Sequence, residues 1–214
     1  MSEWQPVLDF WFPEGTDLSV DPMLHGQHWK WRMRGGADEE IIARFTETAA
    51  RGAEGEFDHW AADPLGRMAL IIVLDQFPRS IHRDSPLAFA QDGKALALCL
   101  EGHGNGHYDA LPTPWHKTTY NLPLGHCEGP DHLARLDRAI ELGRAILDEA
   151  PQALKPGYEF AASQPVAVRA VIAAFGRHPH RNAVLGRAST PEEEACIAKG
   201  DFPHLRSPPP PPGS

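Results

Sequence analysis

Residues able to do chemistry collect in three short stretches. The first is Asp75-Gln76-Phe77-Pro78-Arg79, with Arg83 one turn later. The second is His126-Cys127-Glu128, and the third holds Arg177, His178, His180, Arg181, Asn182 and Arg187, broken by Pro179 and Gly186. Asp75, Glu128, His126 and His180 can give or take protons near neutral pH. Arg79, Arg83, Arg181 and Arg187 present planar N–H forks that match a carboxylate or a phosphate. Gln76 and Asn182 add neutral amides. Four arginines face two carboxylates, and a partly buried guanidinium without a counter-charge is costly. The expected ligand is therefore a small anion, carboxylate or phosphate. Whether such a pocket is enzymatic stays open.

Other chemistries have less behind them. Cys127 lies between His126 and Glu128, but chain neighbours seldom point their side chains at each other, which disfavours a thiol nucleophile. His178-x-His180, and the pair His103 and His107, lack further ligands at metal-site spacing. No metal and no cofactor are expected. Asp75 can also be read as a helix-end residue paired with a nearby arginine, since structural and functional charge clusters look alike in sequence.

Each stretch follows an apolar segment and sits where a helix should begin or end. In a stack of antiparallel helices alternate boundaries fall at the same end, so one shared cluster is expected. Trp4 to Phe12 reads as a first helix, stopped by Pro13-Glu14-Gly15. Residues 14–37, rich in Gly, Pro and Asp, read as a loop whose tryptophans, Trp29 and Trp31, anchor it to the core rather than cover a ligand. Asp38 caps a helix carrying Ile41, Ile42, Phe45 and Ala49 at helical spacing. Asp63-Pro64 opens a helix that is apolar on all sides and runs to Phe77, where Pro78 ends it. Ser85-Pro86 starts another, ending at Gly102. A short helix spans Pro114 to Tyr120. A long amphipathic one follows Gly129 and stops before Pro151. Tyr158 to Phe175 contains Pro165 and ends at Gly176. Thr190-Pro191-Glu192-Glu193 is a capping box that starts a last helix, stopped by Gly200. No hairpin signal interrupts this pattern. It predicts an all-α chain of antiparallel helix pairs, one domain over residues 1–206, with a proline-rich disordered tail over 207–214.

The 214 residues carry a formal charge of −9, which argues against a phosphate-backbone binder, so no nucleic acid is expected. No apolar run reaches membrane-spanning length, so no membrane association is expected. The N-terminus lacks a secretory pattern, and the cysteines Cys99, Cys127 and Cys196 form no framework; both point to the cytoplasm.

Several spaced motifs together resemble a known family. They are Val7-Leu-Asp-Phe-Trp-Phe12, Leu74 to Arg79 with Arg83, Pro123 to Glu128, Phe175 to Asn182, Leu185-Gly-Arg187 and Ser189 to Glu193. The chain resembles the bacterial domain-of-unknown-function family 924 over nearly its whole length, the proline tail excepted. The resemblance implies an all-helical stack like tetratricopeptide (TPR) repeats, an alpha-alpha superhelix, with no established activity. It implies shared polar residues at Asp75, Gln76, Arg79, Arg83, His126, Glu128, His180, Arg181, Asn182 and Arg187. Cys127 stands where the family usually has serine, His178 where it has an aromatic, and Val168 where it commonly has histidine. If that histidine is catalytic, this chain is a doubtful enzyme. Three functions of different class are open to such a chain: a small-anion pocket, a concave scaffold for a protein or peptide partner, and a buried polar network that only ties helices together.

Overall fold

The structure, a computed structural model, describes residues 2–200. The proline-rich tail over 207–214 and the expected domain end at 206 lie outside the described residues. Those residues form helices and turns, with no strand among them. The helices are α1 (Gln5–Trp11), α2 (Pro22–Met33), α3 (Asp38–Ala53), α4 (Pro64–Ile71), α5 (Phe77–Ile81), α6 (Asp92–Gly104), α7 (Pro114–Tyr120), α8 (Leu122–His126), α9 (His132–Glu149), α10 (Lys155–Phe175) and α11 (Pro191–Lys199). None is long and apolar enough to cross a membrane.

The core is built on α4. Every residue from Met68 to Leu74 is buried, as is Phe77, so this segment is apolar all round as its sequence implies. Asp63 caps it, its carboxylate accepting from the backbone N–H groups of Leu65 and Gly66 at 2.8 and 3.0 Å. The expected stop at Pro78 does not occur. Residues Ile72–Gln76 instead form a π-helical turn, closed by the Phe77 N–H on the Ile72 carbonyl, and α5 continues through Pro78. Proline has no N–H to give and its ring crowds the carbonyl four residues back. A widened turn absorbs both problems, where a regular helix would break.

Other boundaries differ from the sequence reading as well: α10 begins at Lys155 rather than Tyr158, and α6 runs on to Gly104. Residues 22–33 are a helix, because Asp21-Pro22 is a cap followed by a first helical proline: Asp21 Oδ1 accepts the Leu24 N–H at 2.9 Å. Asp38 is the first residue of α3, with Ala37 at the cap position. Ser85 caps a 3-10 turn, Pro86–Phe89, and α6 begins afresh at Asp92. The start of α11 is as expected, with both halves of the capping box made. Gly176 stops α10 at φ 69°, a left-handed conformation that glycine adopts without strain.

α9 and α10 form the most extensive helix pair, while α8 packs on α9 and on α6, and α3 packs on α5. The tryptophans of α2 act as anchors. The Trp31 ring lies 5.2 Å from Phe10, and Trp29 donates its indole N–H to His25 at 3.0 Å. His103 and His107 are likewise structural, bonded to Asn121 at 2.9 Å and to Arg67 at 3.1 Å.

Candidate functional site

The widened turn is what aims Asp75. An extra residue in one turn rotates every later side chain about the helix axis, and the helix delivers Asp75 and Gln76 into the interior as its apolar run ends. Asp75 is wholly buried. It accepts hydrogen bonds from Arg79 Nη2 at 3.0 Å, from His126 Nδ1 at 2.8 Å, and from the Gln76 amide. His126 comes from the last turn of the short helix α8, so the contact joins two elements 51 residues apart in sequence. Arg79 continues the chain: Nη2 donates to Asp92 at 2.8 Å and Nη1 to the Ala88 carbonyl at 3.0 Å. Asp92 then accepts from Arg181 Nη1 at 3.0 Å. The Phe89 ring lies against both guanidiniums, 4.3 Å from Arg181 and 5.5 Å from Arg79.

A second branch runs through Glu128. Its carboxylate accepts from Arg187 Nη1 at 2.5 Å and from the His178 backbone N–H at 2.7 Å. Arg187 also donates to the His178 carbonyl at 3.1 Å, which closes the 177–187 loop on itself, while the Glu128 contacts hold that loop to the end of α8. His180 is half-buried within this loop, its ring 5.3 Å from that of His178. Asn182 belongs to a neighbouring network. It donates to Glu193 at 3.1 Å, and Glu193 also takes both arms of Arg177 at 2.7 and 2.8 Å.

Burial sets the protonation states. It raises the Asp75 carboxyl, but His126, Arg79 and Gln76 outweigh it and hold Asp75 below the ordinary carboxylate range. Burial also dominates His126, and despite the pull of Asp75 it lowers the imidazole below its ordinary value. For His180, burial and then Arg181 push the pKa down to about 4. Burial and the like charge of Arg79 bring Arg181 down to about 10, with Asp92 and Glu128 offsetting only part. The site therefore holds ionised carboxylates and guanidiniums beside neutral imidazoles at pH 7.

A family model described as bacterial protein of unknown function (DUF924) matches residues 7–201. The chain belongs to that family. It is also similar to a solved structure of a protein of unknown function, ATU0120 from Agrobacterium tumefaciens. The identity is 27%, the match covers 92% of this chain and 97% of that one, and the TM-score is 0.66. No curated protein matches. Membership brings no activity with it, so the chemistry has to be argued from the site itself.

Of the residues singled out in the sequence, Asp75, Gln76, Arg79, His126 and Arg181 converge, and Glu128, His180 and Arg187 sit beside them. Arg83 does not join them. It pairs with Asp38 of α3, as Ser80 does at 2.6 Å, and fixes α5 to that helix. Cys127 is no nucleophile poised by His126: its thiol faces the Glu128 carbonyl at 3.5 Å and burial raises its pKa. Asp92 was not foreseen. As the first residue of a helix it looks like a dipole partner, and nothing in its spacing marks it as the link between Arg79 and Arg181. With Asp92 counted and Arg83 elsewhere, Asp75, Asp92 and Glu128 face Arg79, Arg181 and Arg187. The expected surplus of positive charge is corrected to a balance.

A second buried cluster also escaped the sequence reading. Glu14 Oε1 lies 3.2 Å from His25 Nδ1 and 3.0 Å from His28 Nδ1, with Arg32 3.2 Å from its other oxygen. Two histidines and a carboxylate can hold a metal, but His25 Nε2 accepts the Trp29 indole N–H. With Nε2 accepting, the ring's proton lies on Nδ1, the nitrogen a metal would need bare. No group of three such residues that could hold a metal ion occurs among the described residues. The cluster pins the Glu14 loop to α2.

Proposed function

We propose that the convergent cluster is a binding site for a small carboxylate or phosphate. One observation carries this reading. The Arg181 side chain is only 5% exposed, yet it holds half of a carboxylate that it shares with Arg79, and its buried Nε–H has no hydrogen-bond partner. A buried donor left unmade typically costs about 1–3 kcal/mol. An anion that takes it up recovers that cost. Support also comes from the edge of the cluster, where Arg79 and Phe89, which touch the buried Asp92 and Arg181, are themselves only half-buried. The π-helical turn under Asp75 adds weight, because such turns recur at functional sites. Two surface clefts lie elsewhere. One of about 590 Å³ sits between α10 and α11, against Phe175, Arg177 and Glu193. The other, of about 330 Å³, lies over Phe45, Phe57 and Trp60.

The balance of three carboxylates and three guanidiniums favours a second reading, in which the network only ties α5, α6, α8 and the 177–187 loop together. Arg181→Met separates the two. Methionine keeps much of the bulk, and Asp92 retains Arg79. If the site binds anions, sulfate and acetate raise the melting temperature of the parent protein, and Arg181→Met remains folded but loses that response. Under the second reading the anions give no saturable shift, only the gradual rise that sulfate brings to any folded protein, and the substitution unfolds the chain.

A further inference from the structure

Arg181 is an oriented receptor as well as a charge. Its Nη1 is committed to Asp92, while Nε is buried and unbonded. A guanidinium offers two parallel N–H groups along its Nε–Nη2 edge, and their spacing matches the two oxygens of one carboxylate. No hydrogen bond from Nη2 is made among the described residues, so that edge is the one left for a ligand. A tetrahedral anion can set two of its oxygens on the same edge, so the edge alone does not choose between them; the difference is that sulfate brings two negative charges and a carboxylate one.

Charge then constrains what enters. The network is balanced before anything binds, as Asp75, Asp92 and Glu128 match Arg79, Arg181 and Arg187. A carboxylate adds one negative charge to a largely desolvated region, which is costly unless a positive charge arrives with it. One group able to supply it is the neutral His180, next to Arg181 in the chain and subject to its charge. The charged and titratable groups around it are Arg181 and His178 from its own loop, Arg79 from α5, His126 from α8 and Glu128 after α8. Two arginines there discourage a proton on the ring while the site is empty. A bound carboxylate cancels part of that repulsion.

We propose that the ligand is a carboxylic acid taken up as a neutral unit, its carboxylate side-on against Nε and Nη2 of Arg181 and its proton on His180. This rests on the anion-site reading above and adds to it a chemical class and a proton. Affinity should rise as pH falls, because the bound form carries a proton that the empty form lacks. The rise is about tenfold per pH unit between the bound-state pKa of His180 and its empty-site value.

The test is an NMR titration of the full chain with sodium acetate between pH 5.5 and 8, and with sodium sulfate in parallel. It follows the His180 ring and the backbone amides near Arg181. The expected result is saturable amide shifts with acetate, and a His180 pKa that climbs from about 4 to about 6.5 or above. Affinity at pH 5.5 should exceed that at pH 7.5 by at least about tenfold. Arg181→Lys, which keeps the charge but has no two-donor edge, should lose the acetate response. In His180→Gln acetate should bind weakly and independently of pH. Saturable acetate shifts with an unmoved His180 pKa, or saturation by sulfate but not acetate, overturns this inference and leaves the anion site standing. Saturation by neither probe overturns the anion site itself.

Discussion

Asp75 is the residue on which the site's geometry depends. It is fully buried and receives Arg79, His126 and Gln76 at once. A carboxylate in that position is tolerable only because both of its oxygens face donors. The same bonds set the His126 tautomer: Nδ1 carries the proton toward Asp75, which turns Nε2 the other way. In Asp75→Asn the shape survives, but the charge that Arg79 faces on that side is gone. Arg79 then depends on Asp92 and the Ala88 carbonyl alone. The expected loss is about 3 kcal/mol, the low end for breaking a buried pair, with helix content unchanged. Urea denaturation followed by circular dichroism measures it. A loss under about 1 kcal/mol would mean that Asp92 alone suffices for Arg79.

The helices were largely legible because their signals are local. Asp63-Pro64, Thr113-Pro114 and Thr190-Pro191 each place a capping oxygen before a first-turn proline, and each starts a helix in the structure. Asp21-Pro22 carries the same signal, but the surrounding glycines, prolines and aspartates gave residues 14–37 the composition of a loop. Pro78 misled for a different reason. Its effect depends on whether neighbours stabilise a widened turn, and Asp75 bonding to α8 is a tertiary fact. The site was legible as three motifs; the bridge at Asp92 was not, because which carboxylate meets which arginine is decided by packing. Packing also governs how closely α6 and α7 approach. A Cβ built on Gly102 would stand 1.6 Å from the Tyr120 hydroxyl oxygen and 2.8 Å from its Cζ. Tyr120 is fully buried and donates to the Leu98 carbonyl at 3.3 Å, so the ring has nowhere to go. Gly102→Ala should gain helix propensity of roughly 1 kcal/mol yet lose more through overpacking, for a net destabilisation of about 1–3 kcal/mol. A urea midpoint equal to or above that of the parent would show that α6 can shift away from α7 at little cost.

At the scale of the whole molecule, burial of imidazoles makes stability depend on pH well above the carboxylate range. His116 is held down to about 4, by burial first and then by Arg32, and its ring stacks on Phe12 at 4.0 Å. His180 is also near 4, and burial lowers His103, His126 and His132 in the same direction. In the unfolded chain such groups titrate near 6.5. Below that pH the unfolded chain binds protons that the folded one refuses, so stability is full above about pH 7 and is lost as pH falls toward 4. Each fully effective group costs about 1.4 kcal/mol per pH unit in that window. Glu14 acts in a lower window. Burial opposes its ionisation, but His25 and Arg32 hold it at about 2 against an ordinary 4.5, so its contribution is present above 4.5 and disappears between 4.5 and 2. Urea midpoints should therefore be level from pH 8 to 7 and fall steeply between pH 6 and 4.5, before the carboxylates matter. His116→Phe preserves the stacking on Phe12 and removes one of the titrating groups, so its profile should be shallower by about 1 kcal/mol per pH unit. A parent profile that stays flat down to pH 4.5 would mean these rings take up protons in the folded state. The neutral imidazoles beside Arg79 and Arg181 would then be charged already, with no proton left for a ligand to bring.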